Sequence, residues 1–217
     1  MRIPMLTGLL LLAAALPGAA AMAVAGPAKS SWLIQKLPAG KGSFLLFQWN
    51  QAVNTIRSNG FSPATEAQGD GALRMKALGE ELAPLVAQSK ILAMCETGGL
   101  SFDKLQEPHA SIAERLSRTY MLGALSAGSG SAVAFVSDWD DHVCIDSCVC
   151  NPSYLKKGED AEAHLIAHIA QQAVEAGTTD VRLRPSYQVE GNEFYERIGF
   201  KPMEEDGEKG MLRYESA

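Results

Sequence analysis

The sequence predicts a mixed α/β (α+β) domain with a mostly antiparallel sheet. Several short segments alternate apolar with polar residues, and other segments repeat apolar residues every three or four positions, as helices do. Three of the strand-like segments follow one another closely, as in an antiparallel meander. With 217 residues, 47% of them hydrophobic and 20% charged, the chain can form one ordinary domain with a sizeable core.

Charge is distributed unevenly along the chain. Residues 1–65 contain five basic and no acidic residues, so the rest has 19 − 5 = 14 basic and 25 acidic residues, a net charge of −11. Phosphate groups bind to basic surfaces. The acidic body therefore argues against nucleic acid or an anionic membrane as a partner.

The amino-terminal segment has the pattern of a signal peptide. Arg2 precedes the apolar run Leu6–Leu16, which is too short to span a bilayer comfortably, and a tract of small residues follows. This predicts a signal peptide over residues 1–25, with cleavage after Ala21 or Ala25. The alternative is a membrane anchor or a buried helix.

Residues 26–71 are predicted to be a transit-like or linker segment. They contain scattered Lys, Arg, Ser and Thr and no acid before Glu66, and together with a signal peptide they resemble the bipartite presequences of algal plastid proteins. We therefore expect import into a plastid by the secretory route, a mature end between Ser58 and Gly71, and no stable membrane insertion afterwards. A secreted or endomembrane protein with a linker is the alternative. The stretch from Phe44 to Arg57 also allows a small helix that packs on the domain.

The elements of the body start with a strand and two helices. Ala72–Leu78 alternates apolar and polar residues and predicts a first strand. Glu80–Cys95 has helical periodicity, with Pro84 in its first turn, and a break follows at the two glycines after Thr97. Ser111–Thr119 predicts a second helix.

The meander and a long helix come next. Short turns at residues 127–130 and 140–141 separate three predicted strands. These strands are Tyr120–Ser126, Ala132–Trp139 and His142–Cys150. An apolar stripe predicts an amphipathic helix from about Ala161 to Ala176, which Gly177 caps.

The carboxy-terminal part combines a short strand, a helical corner and a hairpin. Val181–Leu183 predicts the strand, and a hairpin over Phe200–Tyr214 turns at Asp206 and Gly207. Between them, Asn192–Pro202 predicts a short helix that ends at a left-handed glycine and continues directly into a strand. Its residues 194–202 read Phe-Tyr-Glu-Arg-Ile-Gly-Phe-Lys-Pro.

This string resembles the Tyr-x-x-x-Gly-Phe corner of the GNAT superfamily of acyl-CoA-dependent N-acyltransferases. The order of elements from Ala72 to the carboxyl end is also similar to that family. The resemblance implies a GNAT-like domain over residues 72–217, with helices on both faces of the sheet. It further implies an acetyltransferase with acetyl-CoA as co-substrate and a primary amine of a small molecule or protein as acceptor.

The resemblance also suggests where acetyl-CoA binds. In the family, the strand that ends here near Asn151 splays from its neighbour and meets the pantetheine, while the diphosphate lies at the amino end of the next helix. The family pattern at that helix is [Gln/Arg]-x-x-Gly-x-[Gly/Ala], and this chain departs from it with Asp160 and Glu162. The implied cofactor-binding residues are Cys148, Cys150, Lys156, Lys157, Gly158, Asp160, Ala161 and Gln188.

Three residues are candidates for acid–base catalysis. Tyr195 resembles the general acid of the family, and packing at the corner is its alternative role. The third meander strand is expected to place five residues on one face, and among them Asp146 is the candidate base, with His142 second. The alternative is that both are ordinary polar groups of the strand. These five residues are His142, Cys144, Asp146, Cys148 and Cys150.

The acidic diphosphate segment keeps a second hypothesis open. A catalytically inactive GNAT-like domain, serving as a binding or structural subunit of an organellar complex, needs no intact phosphate loop. No metal site is expected, because Cys144, Cys148 and Cys150 lack the second cluster that a zinc site requires.

Overall fold

The computed structural model describes residues 32–58, 69–101, 110–126, 129–153, 161–185, 193–203 and 210–215. Every described residue belongs to one compact unit, Ser31–Ala217. The predicted signal peptide lies outside the described residues.

The described part of the chain includes the following helices and strands. The helices are α1 (Ala39–Ser58), α2 (Gly69–Glu96), α3 (Ala110–Arg118), α4 (Ala161–Glu175) and α5 (Glu193–Glu196). The strands are β1 (Leu33–Leu37), β2 (Thr119–Ser126), β3 (Ser129–Asp138), β4 (Val143–Cys150), β5 (Val181–Leu183), β6 (Phe200–Pro202) and β7 (Leu212–Tyr214).

The seven strands form one sheet in the order β1-β2-β3-β4-β5-β7-β6. Of the six pairings, only that of β4 with β5 is parallel. The α4 helix connects these two strands, as a parallel crossover requires. The predicted mixed, mostly antiparallel sheet is confirmed.

Each face of the sheet carries its own hydrophobic core. The first core joins α4 to the sheet and includes residues of β4, β5, β6 and β7, with Leu165, Ile166 and Phe200 fully buried. The second core joins α1 and α2 to strands β1 to β4, with Leu46, Leu82 and Phe135 fully buried. The prediction of helices on both faces is therefore confirmed.

The predicted first strand at Ala72–Leu78 is wrong, because these residues belong to α2. Met75, Leu78 and Leu82 are buried at spacings of three and four, which is the stripe of a helix, whereas the alternation covered only seven residues. Pro84 lies inside α2 and not in its first turn, and its ring faces solvent.

The first strand of the sheet lies much earlier, at Leu33–Leu37, where it pairs with β2 along all five residues. The α1 helix follows it and buries Leu46, Trp49 and Val53 in the second core. Both elements fall within the segment predicted to be a transit-like sequence or linker. The alternative prediction of a helix between Phe44 and Arg57 that packs on the domain is confirmed.

The other predicted elements agree with the structure to within about two residues at most ends. This holds for α3, α4, β2, β4 and β5, whereas β3 begins three residues earlier than predicted. The corner is also as predicted, because Gly199 has a φ of 93° and Phe200 enters the core. The turn at Asp206 and Gly207 lies outside the described residues. In the described ranges, no helix combines the length and apolar character needed to cross a bilayer.

Candidate functional site

The central feature of the site is a gap between β4 and β5. The β4 strand pairs with β3 along its length but with β5 only through Val143, Cys144 and Ile145. The last bond runs from the Arg184 N–H to the Ile145 carbonyl at 3.0 Å. Beyond it, from Asp146 to Cys150, the β5-side edge of β4 has no strand partner in the described part of the chain. The splay that the resemblance implied is therefore present.

A β-bulge lies where the gap begins. Val136 of β3 is opposite Ile145, whereas the adjacent Phe135 is opposite Ser147, so Asp146 is the extra residue in β4. A bulge turns the residues that follow it onto the other face of the sheet. It therefore places Asp146 at the point where the strands separate.

Because of the bulge, the alternate residues of β4 do not all share one face, although the sequence had predicted that they would. Val143 and Ile145 belong to the core beneath α4, and so do Cys148 and Cys150. Odd-numbered residues therefore face this core before the bulge, and even-numbered residues face it after the bulge. Cys144 precedes the bulge and lies on the opposite face from Cys148 and Cys150. The predicted set of five residues on one face is wrong, because strict alternation does not continue through an extra residue.

Asp146 is half-buried, and its Oδ2 atom is buried without a hydrogen-bond partner among the described residues. Its charge acts on the neighbouring thiol of Cys144. Burial raises the pKa of Cys144 to about 12, and Asp146 contributes to that rise. Cys144 is therefore a neutral thiol at physiological pH and not a nucleophile.

His142 is the weaker candidate base, because it lies just before β4 and outside the gap. Its Nδ1 atom is 2.7 Å from Asp141 Oδ1, and its ring stacks on Trp139 with centroids 5.8 Å apart. These contacts hold it in the turn between β3 and β4, at the end of β4 opposite to the gap.

The side chains of Cys148 and Cys150 point into the core and are almost fully buried. Burial raises the pKa of Cys148, and Glu162 and Cys150 raise it further. The side chains of both residues therefore only pack in the core. Only their backbone N–H and C=O groups, on the open edge of β4, are available to a ligand in the gap.

Tyr195 lies in the same core as Cys148 and Cys150 and is only 2% exposed. Its ring meets Phe194 edge to face, with centroids 5.0 Å apart. The corner therefore places Tyr195 in the core beneath α4, and its role as general acid stays a prediction.

The amino end of α4 follows the open part of β4 in the chain. Ala161 begins the helix and is fully buried, and Glu162 is 2% exposed, so its carboxylate does not face solvent at the helix end. An acid in the first turn is favourable to the helix dipole. The other predicted cofactor-binding residues lie outside the described residues, namely Lys156, Lys157, Gly158, Asp160 and Gln188.

A row of basic residues beside the gap was missed by the sequence analysis. Val181 and Leu183 are buried in the core beneath α4, so Arg182 between them points to the opposite face, and Arg184 continues the alternation. The repeat Val-Arg-Leu-Arg carried this signal, because alternation places both arginines on one face.

Comparison with known proteins shows no matching family model and no matching curated protein. Solved structures with similar folds include the PaiA N-acetyltransferase of Thermoplasma acidophilum in complex with coenzyme A, with 13% identity, a TM-score of 0.48, and coverage of 86% of this chain and 99% of that chain. A Bacillus subtilis acetyltransferase in complex with CoA shares 17% identity, with a TM-score of 0.36 and coverage of 49% and 81%.

The ribosomal-protein-S18-alanine N-acetyltransferase of Escherichia coli shares 18% identity, with a TM-score of 0.36 and coverage of 52% and 81%. Identities this low are evidence of fold alone. The sheet order, the gap and the corner are observed directly in this chain.

Proposed function

We propose that this protein is an N-acyltransferase that moves an acetyl group from acetyl-CoA to a primary amine. The observation that carries the proposal is the gap beyond Ile145, where the open backbone edge of β4 adjoins the bulged Asp146. An extended strand edge with unused N–H and C=O groups is suited to bind an extended amide-containing chain such as pantetheine.

The proposed co-substrate contacts combine the open edge of β4 with residues that the family resemblance implies. The backbone of Cys148 and Cys150 meets the pantetheine, and the amino end of α4 at Ala161 meets the diphosphate through its N–H groups. Lys156 and Lys157 supply positive charge, and Gly158 permits close approach of the backbone. Asp160 and Gln188 complete the proposed set.

Acetyl-CoA supplies an activated thioester, and the residues of the chain manage the protons. Asp146 accepts a proton from the acceptor amine, whose nitrogen forms the new C–N bond as the C–S bond breaks. Tyr195 donates its hydroxyl proton to the departing thiolate. The half-buried carboxylate at the bulge suits the first role, because its Oδ2 atom has no partner among the described residues.

One observation favours an inactive, GNAT-like binding subunit as the second candidate. Tyr195 is 2% exposed, and such burial also fits a residue that only packs in the corner. A subunit of this kind would keep the fold and have no affinity for acetyl-CoA.

Calorimetric titration of the full chain with acetyl-CoA separates the two candidates. We expect saturable binding that weakens in Lys157→Ala, more so at low ionic strength, because salt screens the attraction between a lysine and a diphosphate. Lys76→Ala is the matched control, since Lys76 is an exposed lysine on α2. Absence of heat at millimolar acetyl-CoA contradicts the transferase and favours the binding subunit.

A further inference from the structure

A row of side chains crosses four strands on the face opposite to α4. Cys144 is paired with Arg182, Arg182 with Arg213, and Arg213 with Lys201. Their neighbours Val181, Leu183, Leu212 and Phe200 are buried in the core beneath α4, so the row faces the other way. No described residue of β5, β6 or β7 belongs to the core beneath α1 and α2.

Three of the cations on this face have acidic partners. Asp180 contacts Arg182 Nη2 at 2.7 Å and Arg213 Nε at 3.0 Å, and Glu215 pairs with Lys201. Like charges that lie directly opposite on neighbouring strands repel, so these acids stabilise the row. Arg184 differs, because it is exposed and forms no ion pair with any described residue.

Arg184 stands at the mouth of the gap. Its N–H makes the last hydrogen bond between β5 and β4, to the Ile145 carbonyl, and Asp146 is the next residue of β4. The charges of Asp146 and Arg184 both act on the Cys144 thiol. A carboxylate of β4 and the guanidinium of the residue that follows β5 therefore lie on either side of the point where the gap begins.

The two faces of the sheet have different roles in the proposed reaction. The amino end of α4, where the diphosphate is proposed to bind, lies on the face of the first core. On the opposite face, the described residues of β5, β6 and β7 are not covered by the core beneath α1 and α2. The acceptor amine is proposed to approach there, beside Arg184 and next to Asp146.

We propose that Arg184 binds a carboxylate of the acceptor, so that the acceptor is a primary amine that also carries an anionic group. This inference rests on the proposed function. Asp146 attracts the ammonium group of such a molecule, and the guanidinium of Arg184 matches a carboxylate through two parallel N–H···O bonds. The same arrangement disfavours polyamines, because they place a second positive charge next to Arg184.

Matched acceptors that differ only in charge test this proposal. The peptides Ala-Asp-Gly amide and Ala-Asn-Gly amide form one pair, and 4-aminobutyrate and its amide form the other. For wild-type protein, we expect kcat/KM to be roughly tenfold to a hundredfold higher for the charged member, the effect of one charge-assisted hydrogen bond. Preference in only one pair identifies a peptide or a free amino acid as the acceptor.

Arg184→Gln should remove this preference by raising KM for the charged acceptor, with the affinity for acetyl-CoA unchanged. Lys201→Gln is the matched control, because Lys201 lies on the same face but two strands from the gap and is paired with Glu215. It should retain the preference. Equal kcat/KM for both members of each pair, in a wild-type protein that binds acetyl-CoA and transfers acetyl, overturns the inference and leaves the transferase intact.

If no acetyl transfer is measured, binding of succinate tests whether Arg184 forms a carboxylate site. We expect succinate to bind wild-type protein, as followed by NMR, and to bind Arg184→Gln at least tenfold more weakly. That result, without affinity for acetyl-CoA, would keep the anion site and reject the transferase. Equal succinate affinity in the two proteins, or none in wild type, overturns the inference.

Discussion

Glu96 caps the amino end of α1 from the far end of α2. Its Oε2 atom accepts a hydrogen bond of 2.7 Å from the backbone N–H of Ala39, the first residue of α1, across 57 positions of sequence. The first N–H groups of a helix have no partner within the helix, and a negative charge near them is favourable to the helix dipole. The contact therefore joins the two helices that cover one face of the sheet.

Removing this cap should lower the stability of the protein. We expect Glu96→Ala to reduce the free energy of unfolding by about 1 kcal/mol, within the range measured for lost helix caps. Glu96→Gln should cost less, because its amide oxygen can still accept the bond. Urea unfolding measures both, and Glu80→Ala is the control, since Glu80 is an exposed glutamate on the same helix. An equal loss in Glu80→Ala would mean that the cap contributes nothing specific.

Truncation at the amino end should have two very different outcomes. A chain that begins at residue 31 retains β1 and α1, and we expect it to fold. A chain that begins at residue 59 loses Leu46, Trp49 and Val53 from the core, each 5% exposed or less. Loss of each such side chain costs about 2–5 kcal/mol, which together exceeds the margin of a typical domain.

Circular dichroism and thermal melting distinguish the two truncated chains. For the same reason we expect processing of the native protein to occur before Leu33, and not between Ser58 and Gly71. Amino-terminal sequencing of the native protein tests this, and a cooperative melt of the chain that begins at residue 59 would contradict it.

The stability that Asp180 contributes should depend on pH. Burial alone would raise the pKa of Asp180, but the hydrogen bonds and charges of Arg182 and Arg213 hold it below its usual value. A carboxyl with a lowered pKa stabilises the fold above its unfolded-state pKa, near 4, and this contribution is lost as pH falls through the folded-state pKa.

We therefore expect Asp180→Asn to lower the free energy of unfolding by about 1–2 kcal/mol at pH 7 and by much less at pH 3. Urea midpoints at the two pH values measure the difference. Asp140→Asn is the matched control, because Asp140 pairs with Arg118 at 3.2 Å but is 94% exposed. Its effect should be small at both pH values. A loss for Asp180→Asn that does not change with pH would contradict the argument.

The sequence predicted the elements whose periodicity is long or whose turns are sharp. The apolar stripe was sufficient to predict α4, because few other structures bury residues at that spacing. Gly199 was sufficient to predict the end of α5, because a positive φ strongly favours glycine. Ala72–Leu78 failed, because seven alternating residues fit a strand and a helix about equally well. β1 was missed because its residues lie in a segment without acids that resembles a targeting sequence.

The site was harder to predict than the fold because it depends on pairings between distant strands. The bulge at Asp146 depends on how β4 pairs with β3, and the sequence of β4 alone does not indicate an extra residue. For the same reason the gap beyond Ile145 is a property of two strands and not of one. Arg184 was only partly predictable. Alternation along Val-Arg-Leu-Arg predicts its face of the sheet, but whether helices cover that face depends on tertiary packing.

Tyr195 is the residue whose substitution tests the proposed chemistry most directly. If its hydroxyl protonates the departing thiolate, Tyr195→Phe should lower turnover by roughly 10²–10⁴ while the affinity for acetyl-CoA changes little. Tyr214→Phe is the matched control, because Tyr214 packs on Phe200 in the same corner, with ring centroids 5.3 Å apart. Unaltered turnover in Tyr195→Phe would assign the hydroxyl to packing alone, whereas an equal loss in both variants would point to the corner as a whole.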